Sequence, residues 1–173
     1  KMTEKDVLPL DVQDIEGVFT EFVIDNDGVF VFGRCGRTGS REYINKLDVI
    51  GKRPNEDQFL TLNVPLTDKT LDEVKIKPDN INKKFILNSF FYKQKRGNID
   101  GIYNLVWDKQ QNKISANNSF QFNDTLRLDA KSESIPLKQA FNDYFIKHVI
   151  PKRDGGFAVL AEMYYTTSRN SGR

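Results

Sequence analysis

Short apolar runs broken by turns rich in Asp, Asn and Gly set the rhythm of this chain. Phe22-Val23-Ile24 leads through Asp25-Asn26-Asp27-Gly28 into Val29-Phe30-Val31-Phe32-Gly33. The phrase returns as Val74-Lys75-Ile76-Lys77, Pro78 to Asn82, then Phe85-Ile86-Leu87-Asn88. It returns again as His148-Val149-Ile150-Pro151, Lys152 to Gly156, then Phe157-Ala158-Val159-Leu160-Ala161. Short apolar or alternating runs bounded by turn residues read as β-strands. Self-similarity at spacings of roughly 40 to 70 residues marks propellers and other repeat architectures.

Each phrase opens a larger unit. After an extended arm over residues 1–14, the first unit (15–66) has strands at Phe19 to Ile24 and Val29 to Phe32, with Gly28 placed where a positive φ is needed. A third strand follows at Glu42 to Val49 and a fourth at Gln58 to Leu62. The second unit (67–128) repeats the order at Val74 to Lys77, Phe85 to Tyr92, Gly101 to Asp108 and Lys113 to Phe122. The last segment (129–173) reads as a helix and then half a unit, Phe145 to Ile150 and Phe157 to Tyr165. Ser132 or Ser134 would cap that helix and Pro136 would sit in its first turn, with Leu137, Ala140, Phe141 and Tyr144 at helical spacing. The expected class is therefore mainly β: propeller-like four-stranded antiparallel units, two full and one partial, with one short helix. A two-sheet β-sandwich is the alternative. Closed propellers take about four to eight blades, so these units do not make a ring.

Composition fits a strand-rich domain. Thirteen Phe and six Tyr far outnumber two Met and one Trp, a bias that suits strands. The net charge of +2 comes from 26 basic and 24 acidic side chains, so no global field steers a polyanion. The basic clusters Lys93 to Arg96 and Lys147 to Arg153 lack interleaved stacking platforms and read as solvated turns, not a nucleic-acid footprint. No apolar stretch approaches the ~20 residues that span a bilayer as a helix. The single Cys35 excludes an internal disulfide and a cysteine-based zinc cluster. Met2 behind Lys1 suggests a processed product or a chain that does not begin where its gene does.

Candidate chemistry is sparse. Gly33-Arg34-Cys35-Gly36-Arg37-Thr38-Gly39-Ser40-Arg41 has the glycines and guanidinium forks of an anion cradle, with Arg34, Arg37 and Arg41 as ligands. It lacks the following helix of a P-loop or dinucleotide fingerprint and reads first as a hairpin loop. Asp25-Asn26-Asp27-Gly28 resembles the start of a calcium loop, but position 36 is Gly where an EF-hand needs Glu. His148 is the only histidine and has no neighbouring nucleophile; only a fold that joined it to Cys35 would make a dyad. Trp107 and Tyr164 are the candidates for stacking on a sugar, against a core role for Trp107 with Tyr103, Phe90, Phe91 and Tyr92. Glu162 ends an apolar run and should pair with a basic side chain on a neighbouring strand. No catalytic set, metal site or cofactor is expected.

The stretch Tyr144 to Tyr165, with Asp154-Gly155-Gly156-Phe157 and Ala161-Glu162 inside it, resembles a blade segment of large exported β-propeller-like proteins of Bacteroidetes-type bacteria. Lys84 to Tyr92 with Gly97 to Tyr103 is similar to another blade of the same proteins. The resemblance covers residues 70–165; the first unit has Asp-Gly-Val in place of Asp-Gly-Gly, and the second lacks the glycine pair. It supplies no catalytic residues. It implies export to the periplasm or cell surface and a piece of a longer chain. The expected function is a non-enzymatic interaction or surface-binding scaffold, with a protein partner or self-association through open sheet edges. The alternatives are a carbohydrate-binding accessory module and an anion- or nucleotide-binding domain.

Overall fold

A turn residue ends each apolar run. Gly28 and Gly155 take left-handed backbone (φ 77° and 83°), as do Lys83 and Asn112 (φ 55° and 53°). These four close the hairpins that carry the fold. A Cβ on Gly28 would also stand 2.9 Å from the Pro54 ring, so this turn requires glycine on two counts. The structure is a computed structural model that describes residues 17–37, 43–94 and 97–164, with the backbone alone for Arg37.

The first meander comprises β1 (Gly17–Phe19) and β2 (Val23–Ile24), which share one edge of β3 (Phe30–Arg37), followed by β4 (Ile44–Lys52) and β5 (Leu60–Val64). The second runs β7 (Lys75–Asp79), β8 (Lys84–Tyr92), β9 (Gly101–Asp108) and β10 (Lys113–Gln121), each antiparallel to the next. A two-residue link, β6 (Thr70–Leu71), pairs with Ile44 on one side and with Phe91 and Tyr92 on the other. The two meanders are therefore one continuous sheet, not two separate ones. β11 (Tyr144–Pro151) and β12 (Phe157–Met163) form a hairpin sheet of their own. The class is mainly β with antiparallel sheets, and the sheet does not close into a barrel.

The core has two parts that share β8. Phe85, Leu87 and Phe91 join Val31, Cys35, Leu47, Val49 and Val64 of the first meander. Ile86, Phe90 and Tyr92 point the other way, into a second cluster with Ile146, Val149, Phe122 and Phe141. Successive strand side chains alternate between faces, so β8 is covered on both. The molecule is a stack of three layers: first meander, second meander, hairpin.

The three hairpins β2–β3, β7–β8 and β11–β12 share a pairing feature. One pair back from each turn-closing pair stands a phenylalanine: Ile24 with Phe30, Pro78 with Phe85, Pro151 with Phe157. Phe85 packs toward the first meander, and Phe157 packs toward the second. The residue after it, Val31 or Ile86, faces the layer that follows. The phrase seen in the sequence is thus a stacking code as well as a turn code.

Three expectations are corrected. The α-helix is α1 (Asp124–Ala130), capped by Asn123, whose side chain accepts from Leu126 N. The Pro136 segment makes only one 3-10 turn at Leu137–Gln139, and Tyr144 already begins β11. The residues at helical spacing there are used differently: Ala140 and Phe141 are buried under β8 from an irregular turn. Finally, Gly33 to Arg37 is strand, so the expected glycine-arginine loop begins later. Thr38 to Arg41, the arm 1–14 and the tail after Tyr164 lie outside the described residues.

Candidate functional site

The hairpin turns of the first two layers meet at one end of the stack. Asp25 is buried there; its Oδ1 accepts from the backbone of Asp27 and Val29, both at 2.9 Å, which fixes the turn. Lys109, from the turn after β9, reaches across the layers and donates to Asp25 Oδ2 and, at 2.5 Å, to Asp27. Lys83, at the end of the β7–β8 turn, binds Asp27 at 2.9 Å. Asn80 accepts from Asn26 N at 2.8 Å, and Arg53 donates to Lys109 O at 2.6 Å. Two carboxylates and two ammonium groups from three hairpins make a compact charged clasp.

Its electrostatics favour the closed form. Burial pulls Lys109 down, but hydrogen bonds and proximity to Asp25 and Asp27 outweigh it and hold the amine above its ordinary value. Asp27 is lowered to about 2, first by the Lys109 hydrogen bond and then by Lys83. The clasp ties the turns of the two meanders together. The resemblance of Asp25 to Gly28 to a calcium loop ends here, because both carboxylates face lysines. Among the described residues, no three His, Cys, Asp or Glu side chains gather as metal ligands.

Each outer face of the stack carries exposed apolar side chains, and on the hairpin these stand beside His148 and the Lys147–Glu162 pair. On the first meander Phe19, Phe22, Phe30, Phe32 and Phe59 form one ring cluster, with Phe22 stacked on Phe30 at 5.5 Å. Phe22 is 56% exposed and Ile24, beside it, 64%. On the hairpin, Ile150 and Leu160 are about half exposed and pair across the strands with Ala158 and His148. Clustered exposed apolar side chains can mark interaction sites.

The residues singled out in the sequence are scattered over the stack. Arg34 points from β3 to Asp48 on β4 at 2.7 Å, a partner that occupies its fork. Arg37 is the last residue of β3, and Arg41 lies outside the described residues. Trp107 is a core residue, 1% exposed and stacked on Phe85 at 5.4 Å, so a ligand has no access to its ring. Tyr164 is exposed and meets the ring of Phe145 edge-on. Cys35 is buried between the meanders while His148 lies on the outside of the hairpin, so no dyad forms. Glu162 pairs with Lys147 across the hairpin at 3.2 Å, as its position suggested. Lys109 escaped the sequence reading because it sits in a polar turn, 84 residues from Asp25. The only sequence signal was the Asp that opens the first turn, reappearing as Asp79 in the second. Comparisons with protein-family models, curated proteins and solved structures find no match to this chain.

Proposed function

We propose that this protein is a non-enzymatic, propeller-like β-repeat scaffold that works by binding other macromolecules through the faces of its stack. The observation that carries this reading is the set of exposed apolar side chains at opposite ends of a layered β-core, Phe19, Phe22 and Ile24 on one and Ile150 and Leu160 on the other. The packing of β2 and β11 against β7, each the first strand of its hairpin, supports the propeller-like arrangement. A clasp of salt bridges stiffens the turn end. Export to the periplasm or cell surface rests on the resemblance of residues 70–165 to exported repeat proteins.

The test is site-specific photocrosslinking in cells that naturally make the protein, with the crosslinker at position 22 or position 160. A discrete crosslinked product from either face is expected. Monomer alone from both positions would sink the scaffold reading. A sugar-stacking role has lost Trp107 to the core, and an anion cradle has lost Arg34 to Asp48; neither is preferred.

A further inference from the structure

We infer that the occupant of the phenylalanine face is a second copy of this chain, which lays the outer face of its β11–β12 hairpin on the first meander. This rests on the scaffold reading above and names its partner. The warrant is the periodicity of the stack, which states what kind of surface covers what.

Position by position, Phe30, Phe85 and Phe157 are equivalent, since each pairs with the residue just before its turn-closing pair, Asp25 with Val29, Asp79 with Lys84 and Lys152 with Gly156. Two residues on, Phe32, Leu87 and Val159 are equivalent and share the same face. In the second layer, Phe85 and Leu87 are covered by the preceding layer's Val31, Leu47 and Val49. In the hairpin, Phe157 and Val159 pack against the cluster that contains the preceding layer's Ile86 and Phe90. Phe30 therefore stands, half-buried, where a preceding layer would lie, while Phe32 on the same face is already covered by the rings of Phe19, Phe22 and Phe59. Beside them stand the exposed Phe22 and Ile24.

The intervening positions run the other way. Val31 and Ile86 are buried by the layer that follows them. Their equivalent in the hairpin is Ala158, which is exposed beside Ile150 and Leu160. The tail of the stack thus presents the type of face that the head of the stack is shaped to receive. Joining a tail to a head repeats a contact this chain already makes twice within itself. Such an interface is heterologous, so copies add in one direction, as an open chain or a closed ring.

Complementation between two variants provides the test. Phe22→Glu breaks the head face and leaves the tail; Leu160→Glu breaks the tail and leaves the head. Sedimentation should show the unaltered protein growing beyond a dimer with concentration, and each variant alone associating at least about tenfold more weakly. An equimolar mixture should form dimers and stop there, because only one good head meets one good tail. Both substitutions are at exposed positions, and thermal melting checks that the fold is kept. If either variant fails to fold, Ile24→Glu and Ile150→Glu serve the same roles. A protein that stays monomeric from micromolar to millimolar concentration overturns the proposal. So does association that the mixed variants cannot restore, which would mean like faces meeting. Crosslinks from position 22 to a different protein, without self-association of the pure chain, overturn the proposal while leaving the scaffold reading intact.

Discussion

The first and second meanders share a run of four antiparallel strands, to which the first adds β1, and have opposite fates. In the second, β8 is sealed on both sides, from Phe85 through Tyr92. In the first, β3 buries Val31 and Cys35 but turns Phe30 and Arg34 toward a partly open surface. The difference lies in neighbours, not in strand sequence: Phe30 and Phe85 are the same residue at the same place in the hairpin. Burial here is a property of position in the stack. Substitutions should therefore hurt in proportion to how many layers cover them.

The largest contrast is predicted between equivalent phenylalanines. Phe85→Ala removes a fully buried ring stacked on Trp107 and should cost about 4 kcal/mol, the range for buried aromatic truncation. Phe30→Ala, with a neighbouring layer on only one side, should cost less than about half of that. Urea unfolding of both variants measures the difference. Equal losses would show that the first meander's outer face is as closed as the second's core, and the stacking comparison would break.

Lys109→Met comes next, because it cuts the only charged tie between turns of the two meanders found among the described residues to involve a fully buried partner. Asp25, with its side chain 2% exposed, would lose its cation. Stranding a buried partner costs about 3 kcal/mol. The pH dependence has a definite sign. Asp27 falls from 3.8 to about 2 on folding, so its contribution is present above its unfolded value and is lost as pH falls through about 2. Lys109 is raised on folding, so its contribution holds below its ordinary value of 10.5 and fades only above it. The gap in melting temperature between Lys109→Met and the unaltered protein should be flat from pH 5 to 9 and shrink below about pH 4. A gap that opens on acidification would contradict the clasp.

Most strands were legible because alternation and Asp/Gly turns are local signals, written within a few residues of where they act. Phe85 to Tyr92 and Gly101 to Asp108 appear in the structure almost as the pattern marks them. The helix was misplaced because Leu137, Ala140, Phe141 and Tyr144 satisfy a helical period while serving as apolar plugs over β8. Asn123 and Asp124, a true cap and an acidic first turn, were hidden at the end of a strand-like run. β6 is two residues long and leaves no pattern. The clasp and the faces depend on which layers meet, and nothing within Lys109-Gln110-Gln111-Asn112 encodes its distant partner. Burial of Trp107 was among the readings of its strand; burial of the Arg34 fork against Asp48 required knowing the β3–β4 register.

Asn88 sharpens the comparison from the polar side. It lies on β8, fully buried, and both atoms of its amide lack a hydrogen-bond partner among the described residues. A doubly covered strand has no solvent to satisfy that group, whereas its equivalent in the first meander is Gly33, which carries none. An unpartnered buried amide costs about 1–3 kcal/mol. Asn88→Leu, of similar volume, should raise stability by about 1 kcal/mol. A loss of stability would mean that the amide has a function in holding the second and third layers in register.

The smallest effect is expected at Arg34. Its guanidinium makes two contacts with Asp48 Oδ2, at 2.7 and 3.2 Å, and Asn63 binds the other carboxylate oxygen at 2.9 Å. The geometry is good, but the side chains remain 30% and 19% exposed, so water screens the pair and competes for it. Partly exposed pairs of this kind contribute about 0.5 kcal/mol. Arg34→Met should therefore shift the urea midpoint barely beyond error, against the large shift of Lys109→Met. The same variant separates structure from binding. If Arg34 serves only its strand neighbour, added phosphate or sulfate will raise the melting temperature of the variant and the unaltered protein alike. A phosphate-dependent rise that Arg34→Met abolishes would return the first meander's outer face to anion recognition. It would also show that the exposed layer is held open for a ligand and not for another layer.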